Sequence, residues 1–156
     1  MVTLAGGGFL AEAQCLMRRL GDDCQYCFTI FDDCTVPDAL SGADISHMRQ
    51  FALLREKRVW KRIPAFLVAL VQAYKALLRT KPDCVVCMGT AMAVPLCIAA
   101  RSMRIPSIYI ESITRFERPS FTAKLIAYLK LANRLYVQWP DAVHLYPGGI
   151  YRGTIL

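Results

Sequence analysis

Apolar and polar positions along this chain recur with two periods, and the switches between them mark strands and helices. Val2–Ala5 is a short apolar run that ends at Gly6-Gly7-Gly8, the form of a first strand entering a turn. From Phe9 to Leu20, residues Phe9, Ala13, Leu16, Met17 and Leu20 fall on one helical face, and Gly21 suits the helix's C-terminal stop. Gln25–Phe31 is rich in β-branched and aromatic residues and reads as a second strand. Asp32–Ser46 holds Asp, Pro, Ser and Gly and reads as a loop. Arg49–Arg62 is basic with little apolar periodicity, and Pro64 fits the first turn of a helix that runs to Arg79. The second half is sharper. It reads as strand Cys84–Met88, helix from about Ala91 to Met103, strand Ser107–Ile110, helix Phe121–Ala132 and strand Leu135–Gln138.

Strands that alternate with helices of about 10–15 residues predict a parallel, right-handed α/β sheet. The form is Rossmann-like, with helices on both faces and one domain over residues 1–156. Ligands of such sheets bind beyond the carboxyl ends of the strands. The loops that matter are therefore Gly6–Gly8, Asp32–Asp33, Gly89–Thr90 and Glu111–Arg118.

Composition narrows the class. At 156 residues and 55% hydrophobic, the chain buries roughly 70% of its unfolded surface, which excludes a disordered or fibrous protein. Nineteen Lys+Arg against 12 Asp+Glu give a net charge of +7, which favours an anionic partner. Seven cysteines without a secretory signal suit a reducing compartment, and an odd count argues against a disulfide framework. The pairs Cys24/Cys27 and Cys84/Cys87 lie in strand-like runs, where positions i and i+3 face opposite ways, so they read as free thiols rather than metal ligands. The longest apolar stretch, Ile63–Leu78, contains Gln72 and Lys75 and falls short of the ~20 residues of a spanning helix, so no transmembrane segment is expected.

Four constellations carry candidate chemistry. Gly6, Gly7 and Gly8 let a backbone approach a phosphate, whose charge the N–H groups of the following helix stabilise. Gly6, Gly8 and Ala11 also satisfy a dinucleotide pattern, with Asp32 at about the expected ~20-residue offset, so an NAD(P)-binding oxidoreductase is a rival reading of this segment. A tight turn that binds nothing is the plain one. Gly89 and Thr90 end a strand at a helix start and offer N–H donors and a hydroxyl cap. Glu111 and Ser112 follow another strand, with Arg115, Glu117, Arg118 and Lys124 behind. A carboxylate there suits sugar hydroxyls or proton transfer while cations hold phosphate; a solvated ion-pair cluster is the alternative. Last, Arg49, Arg55, Lys57, Arg58, Lys61 and Arg62 surround Phe51, Leu53, Leu54, Val59 and Trp60. Basic residues interleaved with bulky apolar ones suit an anionic membrane surface, with Trp60 at headgroup level; a solvated helix face is the alternative. No RNA- or DNA-binding module accompanies the stretch, so no nucleic-acid partner is expected. His47 and His144 stand in separate segments, and no nucleophile–base pair is readable.

The stretch from Lys81 to Gly153 resembles the bacterial polysaccharide-biosynthesis subunits of the PssD type. These are relatives of the membrane-anchoring subunit of the eukaryotic dolichol-linked N-acetylglucosaminyltransferase. The shared features are Lys81-Pro82-Asp83, a glycine loop ending in Val94-Pro95, Ile110-Glu111-Ser112 with Arg115 nearby, Pro119-Ser120-x-Thr122-x-Lys124, and Val137-Gln138-Trp139-Pro140. The glycine loop at Gly6–Gly8 extends the likeness to the N-terminus.

The resemblance implies the acceptor-side, N-terminal half of a split GT-B glycosyltransferase, with a nucleotide-sugar-binding subunit as its partner in a heteromer. The reaction implied is transfer from a UDP-sugar to a polyprenyl-diphosphate-linked acceptor in polysaccharide biosynthesis, with no cofactor. Gly6, Gly7 and Gly8 then face the acceptor's diphosphate, Gly89 and Thr90 match the second glycine loop, Glu111 matches the strand-end acid, and Ser112 and Arg115 stand beside it. Relatives carry histidine where this chain has Phe9, and phenylalanine takes no proton. The base then falls to Glu111 or Glu12, with Glu111 better placed, or the copy is a non-catalytic scaffold that recruits the partner. The membrane helix of eukaryotic relatives has no counterpart here, so peripheral attachment at the cytoplasmic face is expected through Arg55, Arg58, Trp60, Lys61 and Arg62. An apolar docking surface for the partner is expected at about Trp139–Leu156.

Overall fold

The computed structural model describes residues 1–6, 8–35, 40, 42–49 and 59–155, with the side chains of 22 and 59–62 excepted. Seven strands run through it: β1 (Val2–Leu4), β2 (Cys27–Phe31), β3 (Asp44–Met48), β4 (Val85–Met88), β5 (Ser107–Ile110), β6 (Arg134–Val137) and β7 (Gly149–Tyr151). Four α-helices connect them: α1 (Gly8–Leu20), α2 (Val59–Thr80), α3 (Ala93–Ser102) and α4 (Phe121–Tyr128). The sheet order is β3-β2-β1-β4-β5-β6-β7, and every pairing is parallel.

That order sets the site. The chain starts at the centre, works outward to β3, returns through α2 to lay β4 beside β1, and works outward again to β7. The strand order reverses between β1 and β4, and both glycine turns leave the sheet there. Ligand crevices of open α/β sheets form at such a switch point. At this seam the Thr3 hydroxyl, fully buried, accepts from the Met88 N–H at 2.9 Å.

Helices cover both faces, as the alternating pattern predicts. On one face α1 packs Ala13 and Leu16 over Val2, Leu4, Phe28, Ile30, Met88 and Ile110. On the other, α2, α3 and α4 pack over Val85, Cys87, Tyr109, Leu135 and Val137. Small side chains bring α3 close to the sheet, and seven of its residues from Ala93 to Ala100 are buried. Ser120 starts α4 by accepting from the Ala123 N–H at 3.0 Å, an N-cap interaction worth about 1 kcal/mol.

Several expectations change. Asp44–Ser46, expected as the end of a loop, belong to strand β3, and Gly149–Tyr151 forms a seventh strand the apolar pattern does not signal. Arg79 on α2 clamps β3 by donating from Nη2 to Asp44 Oδ1 (2.7 Å), the Ile45 carbonyl (2.9 Å) and Ser46 Oγ (2.9 Å). The helix α2 is longer than expected at 22 residues, with Pro64 inside it rather than in its first turn. Its Ile63–Thr80 window is apolar and long enough to cross a membrane, at mean hydropathy 1.3. The helix does not stand free, because Ala69, Ala73, Ala76 and Leu77 are buried in the core. The outer side is bulky and apolar, with Ile63, Leu67, Val71 and Leu78 all exposed. Three alanines and Leu77 thus face inward, while several bulky apolar residues face outward, where an ordinary amphipathic helix is polar.

Candidate functional site

The two glycine turns at the switch point touch through one ring. Gly89 has φ +49°, a left-handed conformation that suits glycine, and a Cβ on it would collide with the Phe9 ring. Phe9, on the first turn of α1, therefore fills the space between the loops. Sequence places Phe9 toward an acceptor; the structure lays it against Gly89. Gly6 and Gly8 lie on this edge, and Gly7 lies outside the described residues. Beside Gly6 opens a cavity of about 260 Å³, lined among others by Leu4, Leu10, Ile30, Asp33 and Cys34. It is a little smaller than the roughly 300–1,000 Å³ of most small-molecule sites, so it admits only part of a ligand.

Thr90 differs from its expected role. It does not cap α3, which begins at Ala93 with no side-chain cap; instead its carbonyl accepts from the Ala93 N–H at 3.1 Å. Its Oγ1 is buried without a hydrogen-bond partner among the described residues. An unpaired buried hydroxyl costs about 1–3 kcal/mol, a cost that a polar ligand group at this turn would relieve.

The two candidate acids are turned inward. Glu111, at the end of β5, is expected to face the cleft as a base; it is 2% exposed and its carboxylate is fully engaged. Oε1 accepts from the Ser112 N–H (3.0 Å) and Tyr109 OH (3.4 Å), and Oε2 from Ser120 Oγ (2.6 Å) and Tyr146 OH (2.8 Å). Burial first, and then the Glu111 charge, push both tyrosine hydroxyls above the ordinary phenol range. Glu12, on α1, is equally buried at 3%. It accepts from Ser112 Oγ (2.7 Å), Gln138 Nε2 (2.6 Å) and the Ile113 N–H (3.4 Å). Both carboxylates are buried, and every one of their oxygens accepts at least one hydrogen bond. Both sit beneath the segment that begins at Ser112, and that segment presents Thr114 and Arg115 exposed above them.

Gln138 is a site residue that spacing alone does not single out. Its Nε2 also reaches the Glu111 carbonyl at 3.1 Å, and its Oε1 accepts from the Ile155 N–H at 2.9 Å. One side chain thus joins β6, the β5 loop, α1 and the C-terminal tail. It lies within the Val137-Gln138-Trp139-Pro140 motif, which is the signal that points to it.

Two apolar surfaces flank the site. Arg55 and Arg58, like the side chains of Trp60, Lys61 and Arg62, lie outside the described residues. In the sequence this basic stretch runs directly into α2. On the α1 face of the sheet, a groove of about 300 Å³ runs past Leu20, Val86, Ile108, Tyr136 and the tail residues Arg152–Ile155. Trp139, exposed at the surface, donates its indole N–H to the Ile113 carbonyl at 2.6 Å. Among the described residues no three His, Cys, Asp or Glu side chains gather as a metal site needs. The seven cysteines are free thiols.

Comparison with known proteins adds the context. A family profile described as "Oligosaccharide biosynthesis protein Alg14 like" matches residues 1–155. The UDP-N-acetylglucosamine transferase subunit ALG14 of Yarrowia lipolytica is 30% identical over 131 residues, which cover 78% of this chain and 60% of that protein. The human subunit of the same name is 37% identical over 84 residues, covering 50% of this chain and 38% of its own length. The matched stretch thus spans less than two thirds of these relatives. In fold, the crystal structure of Acinetobacter baumannii MurG superposes on 99% of this chain with a TM-score of 0.73 at 18% identity, and 46% of that chain is covered.

Proposed function

The chain belongs to the Alg14-like oligosaccharide-biosynthesis family, and from that premise we propose that it is the acceptor-side, membrane-associating subunit of a split GT-B glycosyltransferase. The reaction is displacement of UDP from a UDP-sugar, UDP-N-acetylglucosamine by analogy with the relatives' names, by a hydroxyl of a polyprenyl-diphosphate-linked acceptor. The carrying observation is the contact of the Phe9 ring, one residue after Gly8, with Gly89 at the sheet's switch point, with the buried Thr90 hydroxyl unpaired among the described residues. Backbone N–H groups at the start of a helix, on glycine turns, suit a diphosphate. The partner brings the nucleotide-sugar site, and the apolar groove along Val86, Ile108, Tyr136 and Ile155 supports docking on the α1 face. The bulky outer side of α2 and the basic run before it support peripheral attachment to an anionic cytoplasmic membrane face. A place in bacterial polysaccharide assembly, as in PssD-type subunits, is the finer form of this reading.

The test is reconstitution with a nucleotide-sugar-binding partner subunit. Labelled N-acetylglucosamine should pass from its UDP donor to a polyprenyl-diphosphate sugar with the pair and with neither subunit alone. Transfer by the isolated chain overturns the split-enzyme reading.

One observation favours a second reading. Phe9 cannot carry a proton, and Glu12 and Glu111 are buried with every carboxylate oxygen already accepting. A non-catalytic scaffold that brings its partner to the membrane has that property. If the wild-type pair is inert and Phe9→His restores turnover, the scaffold reading holds.

A further inference from the structure

The Glu12 carboxylate lies where four separated parts of the chain converge. It belongs to α1, next to the first glycine turn. Through Ser112 Oγ (2.7 Å) and the Ile113 N–H (3.4 Å) it holds the start of the loop after β5. Through Gln138 Nε2 (2.6 Å) it holds the end of β6, and Gln138 Oε1 in turn receives the Ile155 N–H (2.9 Å) of the tail. Because the Ser112 hydroxyl proton is committed to Glu12, the Ser112 oxygen is left to accept from the Thr114 N–H (3.4 Å) and Thr114 Oγ1 (3.1 Å). Every contact of Glu12 is a donor, so the carboxylate is a sink for hydrogen bonds rather than a group aimed at a ligand.

We propose that Glu12 is a positioning residue: it fixes the start of the Ile113–Arg118 segment against α1 and, through Gln138, fixes the C-terminal tail that walls the apolar groove. Charge-assisted hydrogen bonds are roughly twice as strong as neutral ones, and removing their buried acceptor leaves each donor unsatisfied. What the held segment is for rests on the acceptor-side reading, but the holding itself does not. The two are tested separately.

Trp139 is the reporter. Its indole N–H donates to the Ile113 carbonyl (2.6 Å) and its ring meets Phe116 edge-on at 6.2 Å, so its environment follows the segment. The chain has two tryptophans, and Trp60→Phe leaves Trp139 alone. In that background Glu12→Ala should red-shift Trp139 emission and speed amide exchange across Ile113–Arg115, whose N–H groups are bonded in this network, at least tenfold. Glu12→Gln should keep the wild-type emission, since its carbonyl still accepts from Gln138 and the Ser112 hydroxyl can reverse to accept from the new amide. Ser112→Ala should move emission the same way as Glu12→Ala by a smaller amount. The proposal is overturned by a cooperatively melting Glu12→Ala protein with unchanged emission and exchange, or by Glu12→Gln shifting as far as Glu12→Ala. Should Glu12→Ala fail to fold, unchanged emission in Ser112→Ala overturns it. An inert reconstituted pair counts against the transferase reading and leaves these spectra to decide the role of Glu12.

Discussion

Gly89 and Phe9 act as one unit at the residue scale. The left-handed backbone at Gly89 costs an alanine about 1–2 kcal/mol, and overlap with the Phe9 ring adds about 1–3. Gly89→Ala should therefore lower unfolding stability by roughly 2–5 kcal/mol in urea titrations, but by only about 1–2 in a Phe9→Ala background. Equal costs in both backgrounds would show that the ring contact carries no energy. The tyrosines under Glu111 give a second expectation. Tyr109 and Tyr146 are held neutral in the fold by burial and then by the Glu111 charge, while in the unfolded chain they ionise near pH 10. Above that pH the unfolded state binds fewer protons than the native one, so stability falls as pH rises, by roughly 1.4 kcal/mol per pH unit for each tyrosine. Below pH 10 neither contributes a slope. Urea midpoints between pH 9 and 11 should fall less steeply for Tyr146→Phe than for the wild type; parallel curves would contradict the assignment.

At the scale of elements, three helices end on a strained cation. Lys81, Arg104 and Lys130 follow α2, α3 and α4 with φ of 43°, 59° and 49°, a position where glycine is the usual residue. Arg104→Gly removes about 1–2 kcal/mol of backbone strain against roughly 0.5–1 of added unfolded-state freedom. The net expectation is stabilisation by about 0.5–1 kcal/mol, read as a raised melting temperature. The same scale separates what pattern could reveal from what it could not. The strands of the second half, Val85–Met88, Ser107–Ile110 and Arg134–Val137, are buried and β-branched or aromatic enough to stand out. The edge strands β3 and β7 are not. Asp-Ser-His and paired glycines are the polar, short makeup by which exposed edges are blunted, and it resembles loop. At the site, the glycine turns were legible because their residues are contiguous, whereas the Phe9–Gly89 contact joins positions 80 residues apart. The inward turn of Glu111 was written in the alternation of β5, since Glu111 shares a face with buried Tyr109 and Ser107. Gln138 carries no periodic signal, because its role comes from converging loops.

For the whole molecule, the surface to test is the exposed apolar side of α2. Leu67→Gln with Val71→Gln alters only exposed positions and should leave stability within about 0.5 kcal/mol. If that side enters a bilayer, each change removes roughly 1 kcal/mol of burial, and sedimentation with anionic vesicles should weaken about tenfold or more. Unchanged sedimentation would assign the surface to something other than lipid. The strand order has a consequence of another kind, in the timing of synthesis. β1 sits mid-sheet, but its neighbour β4 begins 81 positions beyond its last residue, Leu4. At a ribosomal rate of ~5–20 residues per second, one edge of β1 waits roughly 4–16 s for its partner. If β1, β2 and α1 pair during that interval, they leave an open apolar border, the kind of edge on which a nascent chain mispairs with a neighbour.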